Sequence, residues 1–223
     1  MKLRERWLRL EQGSAATEGE PSDMDLRIRD YEDRDEKEWI IVHAIILTTS
    51  HAWNYTIQQR PTYEHDSVKL VALDGERIIG LMDVEIESEP GTLCLVKDSV
   101  GGYVLEIGRL PDYAGHNIGR SLIEEAKERL IAKGVRRMEF WTQDENAQRY
   151  YEHLGMKEIN RHYRFRIKPG QKIKALLERD FIGCEYIYGA CVPEIFDEVG
   201  RRYEVVKRHP LEPHLCIGYE LRF

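Results

Sequence analysis

Several common chemistries are missing from this 223-residue sequence. Its four cysteines (Cys94, Cys184, Cys191 and Cys216) form no Cys-x-x-Cys pair, which predicts reduced thiols rather than a disulfide framework or a zinc site. The histidines form no His-Glu-x-x-His arrangement, and we therefore expect no metal. No apolar run approaches the ~20 residues of a membrane-spanning helix, so no membrane partner is expected.

An excess of basic residues is also absent. The net charge is −7, with 33 Lys and Arg against 40 Asp and Glu, which argues against nucleic acid as a partner. The basic start lacks the apolar segment and the cleavage site of a signal peptide, and together with the cysteine pattern this predicts a cytoplasmic protein. The acidic balance is compatible with a cationic amine as substrate.

The glycine pattern excludes two nucleotide-binding loops but predicts an anion site. The sequence contains neither a Gly-x-x-x-x-Gly-Lys-Ser/Thr run nor a complete Gly-x-Gly-x-x-Gly. Residues 105–122 nevertheless predict a strand that stops at Pro111, a loop with Gly115 and Gly119, and an amphipathic helix. A helix start of this kind presents unpaired N–H groups and the positive end of the helix dipole, which together hold a phosphate.

A second motif lies further along the chain, in a predicted helix whose paired Tyr150 and Tyr151 precede a Leu-Gly-Met stop. The two segments together resemble the GNAT family of acetyl-CoA-dependent N-acetyltransferases. The family's pyrophosphate loop corresponds to Pro111-Asp-Tyr-Ala-Gly-His-Asn-Ile-Gly-Arg-Ser-Leu122, and its second motif corresponds to Asp144-Glu-Asn-Ala-Gln-Arg-Tyr-Tyr-Glu-His-Leu-Gly-Met156. The resemblance extends over residues 26–165.

The resemblance implies an α/β (α+β) fold, the GNAT fold. Its central twisted sheet is mixed but mostly antiparallel, is flanked by helices, and has two strands splayed at the acetyl-CoA site. Residues 25–168 would form the acetyltransferase core, residues 1–24 an N-terminal leader or linker, and residues 169–223 a C-terminal extension that contains the closing strand. Periodicity and turn residues predict the individual elements. Strands are predicted over 26–29, 68–73, 78–86, 103–110, 136–142, 161–167, 181–188 and 214–221. Each of the two motifs is predicted to contain a helix, another helix follows residue 31, and three more are predicted over 2–11, 171–178 and 193–201.

Acetyl-CoA is the co-substrate that the resemblance implies. A backbone amide near Leu110 would polarise the thioester carbonyl, and loop N–H groups would anchor the pyrophosphate. The residues assigned to the cofactor are Leu110, Ala114, Gly115, His116, Asn117, Ile118, Gly119, Arg120, Asp144 and Tyr151.

Three of these positions depart from the family pattern. Ala114 replaces an Arg or Gln and removes a side chain that could secure the diphosphate. Asn117 replaces a glycine, but Asn tolerates a left-handed backbone best among the other residues. Asp144 replaces an Asn and can still cap the following helix.

Two catalytic residues follow from the resemblance. Tyr151 matches the family tyrosine that acts as general acid toward the cofactor sulfur, with an aromatic core contact as the alternative. Glu106 is the candidate base; a carboxylate paired with Arg109 or a lysine is an equal alternative, and the strand is expected to be shortened or bulged there. The other candidates for the base are His51, His65 and Glu85.

The implied activity is transfer of an acetyl group from acetyl-CoA to a primary amine of a small molecule, peptide or protein. Many members of the family are homodimers, so a homodimer is expected here too. A second hypothesis is a catalytically weak acyl-CoA-binding or regulatory protein, which Ala114 and Asn117 suggest. A third is an unrelated α/β enzyme whose glycine loop holds a nucleotide phosphate.

Two further expectations concern charged residues. Asp74-Gly75 predicts a tight hairpin, whose second strand carries a row of acidic residues. This row is expected to face solvent, with contact between Asp83 or Glu85 and a cationic acceptor as the alternative. Arg136 and Arg137 are expected to be solvated or to meet the 3′-phosphate of the cofactor.

Overall fold

The computed structural model describes residues 24–50, 57–171, 186–207 and 212–223. The predicted helix over residues 2–11 lies outside these ranges, as does nearly all of the one over 171–178. The described helices are α1 (Glu36–Thr49), α2 (Ile118–Ala132), α3 (Glu145–His153) and α4 (Phe196–Arg202). The strands are β1 (Leu26–Asp30), β2 (Ser67–Asp74), β3 (Arg77–Ile86), β4 (Gly102–Arg109), β5 (Arg137–Thr142), β6 (Lys157–Ile167), β7 (Ile187–Cys191), β8 (Val205–Val206) and β9 (His214–Arg222).

These strands form one mixed sheet with the order β1-β2-β3-β4-β5-β9-β6-β7, and β8 pairs with β6. Among the described strands, β4 and β5 pair in parallel and the other pairs are antiparallel. The last strand, β9, overlaps the strand predicted over 214–221 and inserts between β5 and β6. The mostly antiparallel sheet flanked by helices confirms the predicted fold class.

Helices cover both faces of this sheet. On one face α1 buries Trp39, Val42 and His43, which recur at helical spacing. It packs so closely on β4 that a Cβ placed on Gly108 would lie 2.5 Å from the Ile46 side chain. On the other face α2 buries its predicted stripe: Ile118, Leu122, Ala126 and Leu130.

The predicted ends of most helices and strands differ from the observed ends by a few residues. The β2–β3 hairpin turns at Gly75 and Glu76, because Asp74 still pairs with Arg77, so the turn lies one residue later than predicted. Strand β6 begins at Lys157, four residues before the predicted start. No helix within the described ranges is long and apolar enough to cross a membrane.

The acidic row of β3 is buried, and the prediction that it faces solvent was wrong. Asp83, Glu85 and Glu87 are 0%, 8% and 2% exposed. Asp83 bonds to Arg60 at 2.5 Å, and Glu85 lies 2.8 Å from Nδ1 of His65. Each carboxylate therefore has a partner within the chain, which offsets the cost of burying its charge.

Of the two arginines before and within β5, Arg136 is exposed, as expected of a solvated residue, whereas Arg137 is buried. Arg137 is 1% exposed and bonds to Glu87 and Glu139, both at 2.9 Å. Arg136 donates to carbonyls at the C-terminal end of α2, and the glycine loop lies at the opposite end of that helix. A helix of 15 residues is about 22 Å long, so Arg136 lies far from the glycine loop, and contact with the 3′-phosphate of the cofactor stays a prediction.

Candidate active site

The main cavity opens where β4 and β5 separate. The two strands pair only from Gly102 to Val104 on β4 and from Met138 to Phe140 on β5. Beyond Val104 they diverge, and a cavity of about 670 Å³ lies against the diverging segments. Its walls come from α1, β4, β5, β6 and the start of α3. The predicted splayed strands are therefore present.

A β-bulge re-aims the part of β4 that lines this cavity. Asp83 is opposite Glu106 in the β3–β4 ladder, but the next residue, Val84, is opposite Val104, so Leu105 has no partner on β3. A bulge bends the strand and changes the face to which the following side chains point. This bulge agrees with the expectation from the spacing between Glu106 and Ala114.

The glycine loop has the geometry of an anion site. Gly115 has φ +82° and Asn117 has φ +57°, so Asn117 keeps the left-handed backbone that was expected of it. It is the N-cap of α2 and places the positive end of the helix dipole at the loop. Within the described ranges, no protein group accepts a hydrogen bond from the N–H groups of residues 115–120.

Positive charge surrounds the same loop. Burial raises the pKa of Tyr150, whereas the nearby charges of Arg120 and Arg109 act to lower it. The hydroxyl of Tyr150 would lie 3.5 Å from a Cβ on Gly119, so this tyrosine borders the loop. Sequence reasoning missed Tyr150 because the family motif points to its neighbour.

The structure corrects the assignment of Leu110. Its N–H donates to the Ile79 carbonyl at 2.8 Å and cannot also polarise a thioester. Because N–H groups of a strand point alternately to its two sides, those of Ile107 and Arg109 point away from β3 toward the open cavity. These amides replace that of Leu110 as candidate donors.

Tyr151 lies between the cavity and the core. It lines the cavity, is buried, and packs against Phe140 and Tyr219 with ring centroids 5.0 and 5.6 Å away. Burial raises the pKa of its hydroxyl above the usual value. The phenol is therefore protonated at neutral pH and can serve as a proton donor.

Asp144 acts as the predicted cap. Its carboxylate accepts from the N–H of Asn146 at 2.7 Å and of Ala147 at 3.1 Å, and its own N–H donates to Thr142. These bonds begin α3 at the mouth of the cavity and thereby fix the position of Tyr151, two turns further along.

Glu106 lines the cavity beside an unexpected neighbour. His43 Nε2 lies 3.1 Å from Glu106 Oε2, and the imidazole stacks on Trp39 with centroids 4.8 Å apart. Sequence reasoning treated His43 as a core residue, because its helical spacing matches the buried stripe of α1. Nothing local could reveal its contact with β4.

Two of the other candidate bases, His65 and Glu85, are not at the cavity wall. His65 and Glu85 bond to each other, and neither lines the cavity. His51 lies outside the described residues. Glu106 is therefore the predicted base that the structure brings together with Tyr151. In the part of the chain that the structure describes, no group of three or more His, Cys, Asp or Glu side chains is arranged to hold a metal ion.

The mixed sheet opens between two parallel strands, and the glycine loop follows the first of them, which is the arrangement expected of the GNAT fold. The model of the Acetyltransferase (GNAT) family matches residues 17–156. The chain belongs to this family, as the two sequence motifs predicted. A search of curated proteins found no match.

Solved structures share the fold at low sequence identity. An acetyltransferase of the GNAT family from Streptococcus pneumoniae is 14% identical with a TM-score of 0.54, and the match covers 89% of this chain and 99% of that one. The ribosomal-protein-S18-alanine N-acetyltransferase from Escherichia coli is 14% identical with a TM-score of 0.51, over 88% and 93% of the two chains. Naa50 of Arabidopsis thaliana, in complex with the bisubstrate analogue CoA-Ac-MVNAL, is 12% identical with a TM-score of 0.50, over 89% and 99%.

Proposed function

We propose that this protein transfers an acetyl group from acetyl-CoA to a primary amine. The observation that carries the proposal is one cavity lined by both Glu106 and Tyr151, beside a loop whose N–H groups have no acceptor among the described residues. Glu106 is on β4 and Tyr151 is on α3. A base and an acid at one cavity suit acyl transfer to an amine, because the amine must lose a proton and the leaving thiolate must gain one.

The residues of the loop fit the diphosphate of acetyl-CoA, which supplies the thioester. The N–H groups of residues 115–120 would hold the phosphates at the start of α2, with Arg120 adding positive charge. Asn117 keeps the required backbone turn, so the loop retains its shape without the glycine that is usual in the family. Ala114 supplies no side-chain donor, and backbone groups therefore carry this interaction.

Each step of the reaction has a candidate group. Glu106 accepts the proton of the attacking amine, directly or through water. The N–H groups of Ile107 and Arg109 stabilise the negative charge that develops on the acetyl carbonyl oxygen. Tyr151 donates its proton to the departing sulfur. His43 Nε2 lies 3.1 Å from the carboxylate of Glu106 and is its nearest imidazole neighbour at the cavity.

The competing hypothesis is an acyl-CoA-binding protein with little turnover, and Ala114 is the observation that favours it. Isothermal titration with acetyl-CoA, run beside ATP and NAD, tests whether the loop binds the cofactor at all. Release of free thiol from acetyl-CoA in the presence of a panel of primary amines then distinguishes an enzyme from a binding protein. Binding without thiol release for any amine would favour the competing hypothesis.

Tyr151→Phe provides the specific test of the mechanism. Removal of the hydroxyl should lower kcat by about 10²-fold or more, because general acid catalysis contributes this much, with little loss of acetyl-CoA affinity. Tyr203→Phe is a matched control, because Tyr203 is 43% exposed and does not line the cavity. Equal rates for Tyr151→Phe and wild type would remove Tyr151 from the mechanism.

The remaining predictions stay proposals. We propose residues 25–168 as the acetyltransferase core and 169–223 as an extension that supplies β9. A homodimer, a cytoplasmic location and independence from nucleic acid and metals likewise require direct measurement.

A further inference from the structure

The cavity contains a positive charge that the reaction does not use. Two arginines line it, Arg109 and Arg164. The side chain of Arg109 donates to the carbonyls of Leu110 and Pro111 at the cofactor end. Arg164 has no ion pair or hydrogen bond through its side chain within the residues that the structure describes. A guanidinium in such a position is available to a ligand.

The position of Arg164 is opposite to that of the candidate base. Glu106 is on β4 and Arg164 is on β6, and the strands β5 and β9 lie between them. Three ordinary interstrand spacings would put the two backbones roughly 14 Å apart across the sheet. The distance is larger here, because β4 and β5 have already diverged at Glu106 and Arg164 pairs with His214, beyond the end of the β5–β9 ladder. Both side chains line the same cavity. A molecule that touches both the carboxylate and the guanidinium must therefore be several bonds long.

Among the described residues that line the cavity, there is no lysine, and the only other arginine is Arg109. His162 is on the same strand and contacts Trp141, a cavity residue, with ring centroids 5.5 Å apart. Burial and the charge of Arg164 both lower the pKa of His162, which favours the neutral form of this imidazole. Arg164 also acts to lower the pKa of Cys216, although burial raises it overall. The positive field at this end of the cavity therefore comes from Arg164.

We propose that the acceptor carries an anionic group several bonds away from its reactive amine, and that Arg164 binds this group. This inference rests on the proposed acetyl transfer at the same cavity. An arginine fork binds a carboxylate or a phosphate through paired, charge-assisted hydrogen bonds. Glu106 receives the amine at one side while Arg164 holds the anion at the other, so the substrate is fixed at both ends.

Matched pairs of acceptors test the proposal. The compound ε-aminocaproate has an amine and a carboxylate separated by five carbons, and pentylamine lacks only the carboxylate. With the wild-type protein, kcat/KM for ε-aminocaproate should exceed that for pentylamine by at least ~10-fold, the effect expected of a charge-assisted bond. Aminobutylphosphonate distinguishes a phosphate-like group from a carboxylate as the preferred anion, and alanine tests an amine and a carboxylate on one carbon.

Arg164→Gln should remove this preference. We expect its KM for ε-aminocaproate to rise by at least ~10-fold, while the KM for pentylamine changes less than ~2-fold. Arg161→Gln is the control, because Arg161 is on the same strand, is paired with Glu158, and does not line the cavity. An equal change for both acceptors in Arg164→Gln would indicate a structural effect and would overturn the inference.

Failure of the inference can be separated from failure of the proposed function. If the protein acetylates neutral and anionic amines equally, acetyl transfer stands and the role of Arg164 falls. If no amine is acetylated, acetyl transfer falls, and titration of the same compounds into protein saturated with CoA decides the inference. Tighter binding of ε-aminocaproate than of pentylamine, lost in Arg164→Gln, supports it; equal binding overturns it.

Discussion

Arg137→Met should strongly destabilise this protein, because Arg137 is the cation of a buried acidic cluster. Arg137 bonds to Glu87 and Glu139 and to the carbonyl of Ser99, and Glu220 lies 3.8 Å away. Removal of one partner from a buried ion pair costs about 3–5 kcal/mol, because the remaining charges stay buried without compensation. For a chain of this size, each 1 kcal/mol shifts Tm by roughly 2–4 °C, so the expected loss is about 6–20 °C.

The remaining carboxylates determine how this loss depends on pH. The pKa of Glu87 is lowered overall: burial acts to raise it, but N–H bonds from Cys94, Gly101, Gly91 and Leu93 outweigh that effect. A lowered folded-state pKa stabilises the wild type above the ordinary glutamate value of 4.5 and loses this effect as pH falls through the folded pKa. In Arg137→Met the carboxylate of Glu87 loses a cation that favours its charged form, so its protonation becomes easier. The deficit of the variant should therefore be largest at neutral pH and shrink toward acid.

Urea unfolding at a series of pH values measures both effects. Arg136→Met is the control. The side chain of Arg136 is exposed and donates only to backbone carbonyls. If Arg137→Met fails to fold, Arg137→Lys replaces it in the assay. Lysine keeps the charge but loses the planar fork, so the stability of Arg137→Lys should lie between that of wild type and that of Arg137→Met. A difference below about 1 kcal/mol between Arg137→Met and wild type at neutral pH would refute the reasoning.

Two further predictions concern the loop and the base. Asn117→Gly should keep the affinity for acetyl-CoA, whereas Asn117→Val should lower it by about 5–30-fold in isothermal titration. The reason is that a left-handed backbone costs other residues about 1–2 kcal/mol. Equal affinities of the two variants would show that the loop shape does not matter. Glu106→Gln should lower kcat/KM for amine acceptors by ~10² or more at neutral pH, and less at alkaline pH where the amine is already deprotonated. Glu124→Gln, on the exposed side of α2, is its control, and a deficit for Glu106→Gln that does not change with pH would contradict the role of base.

The parts of the site that the sequence predicted are those with local signals. Pro111, Gly115 and the apolar stripe of α2 act over a few residues, so strand end, loop and helix could be placed from the chain alone. Asn117 could be interpreted because its left-handed tolerance is a property of the residue itself. The same holds for Asp144, whose cap involves only the next three residues.

The parts that the sequence did not predict depend on contacts between distant segments. Arg137 and Glu87 are 50 residues apart, and Arg60 and Asp83 are 23 apart. An alternating acidic strand ordinarily indicates a solvated face, and only the partners from other segments reverse that expectation. His43 was missed for the same reason: its spacing matches the core stripe, and its contact with Glu106 exists only once α1 lies on β4.

The buried charges around Arg137 and the open cavity lie at opposite ends of the same pair of strands, β4 and β5. β4 and β5 pair for three residues and then diverge, so this short ladder alone would hold them together weakly. The Arg137 cluster lies at the paired end, where it connects β5 to the end of β3 and to the segment that leads into β4. With that end fixed, the strands can separate beyond Val104 and leave the amides of Ile107 and Arg109 directed toward the cavity. The charged core thus permits a gap in the sheet at the place where the proposed chemistry needs unpaired backbone groups.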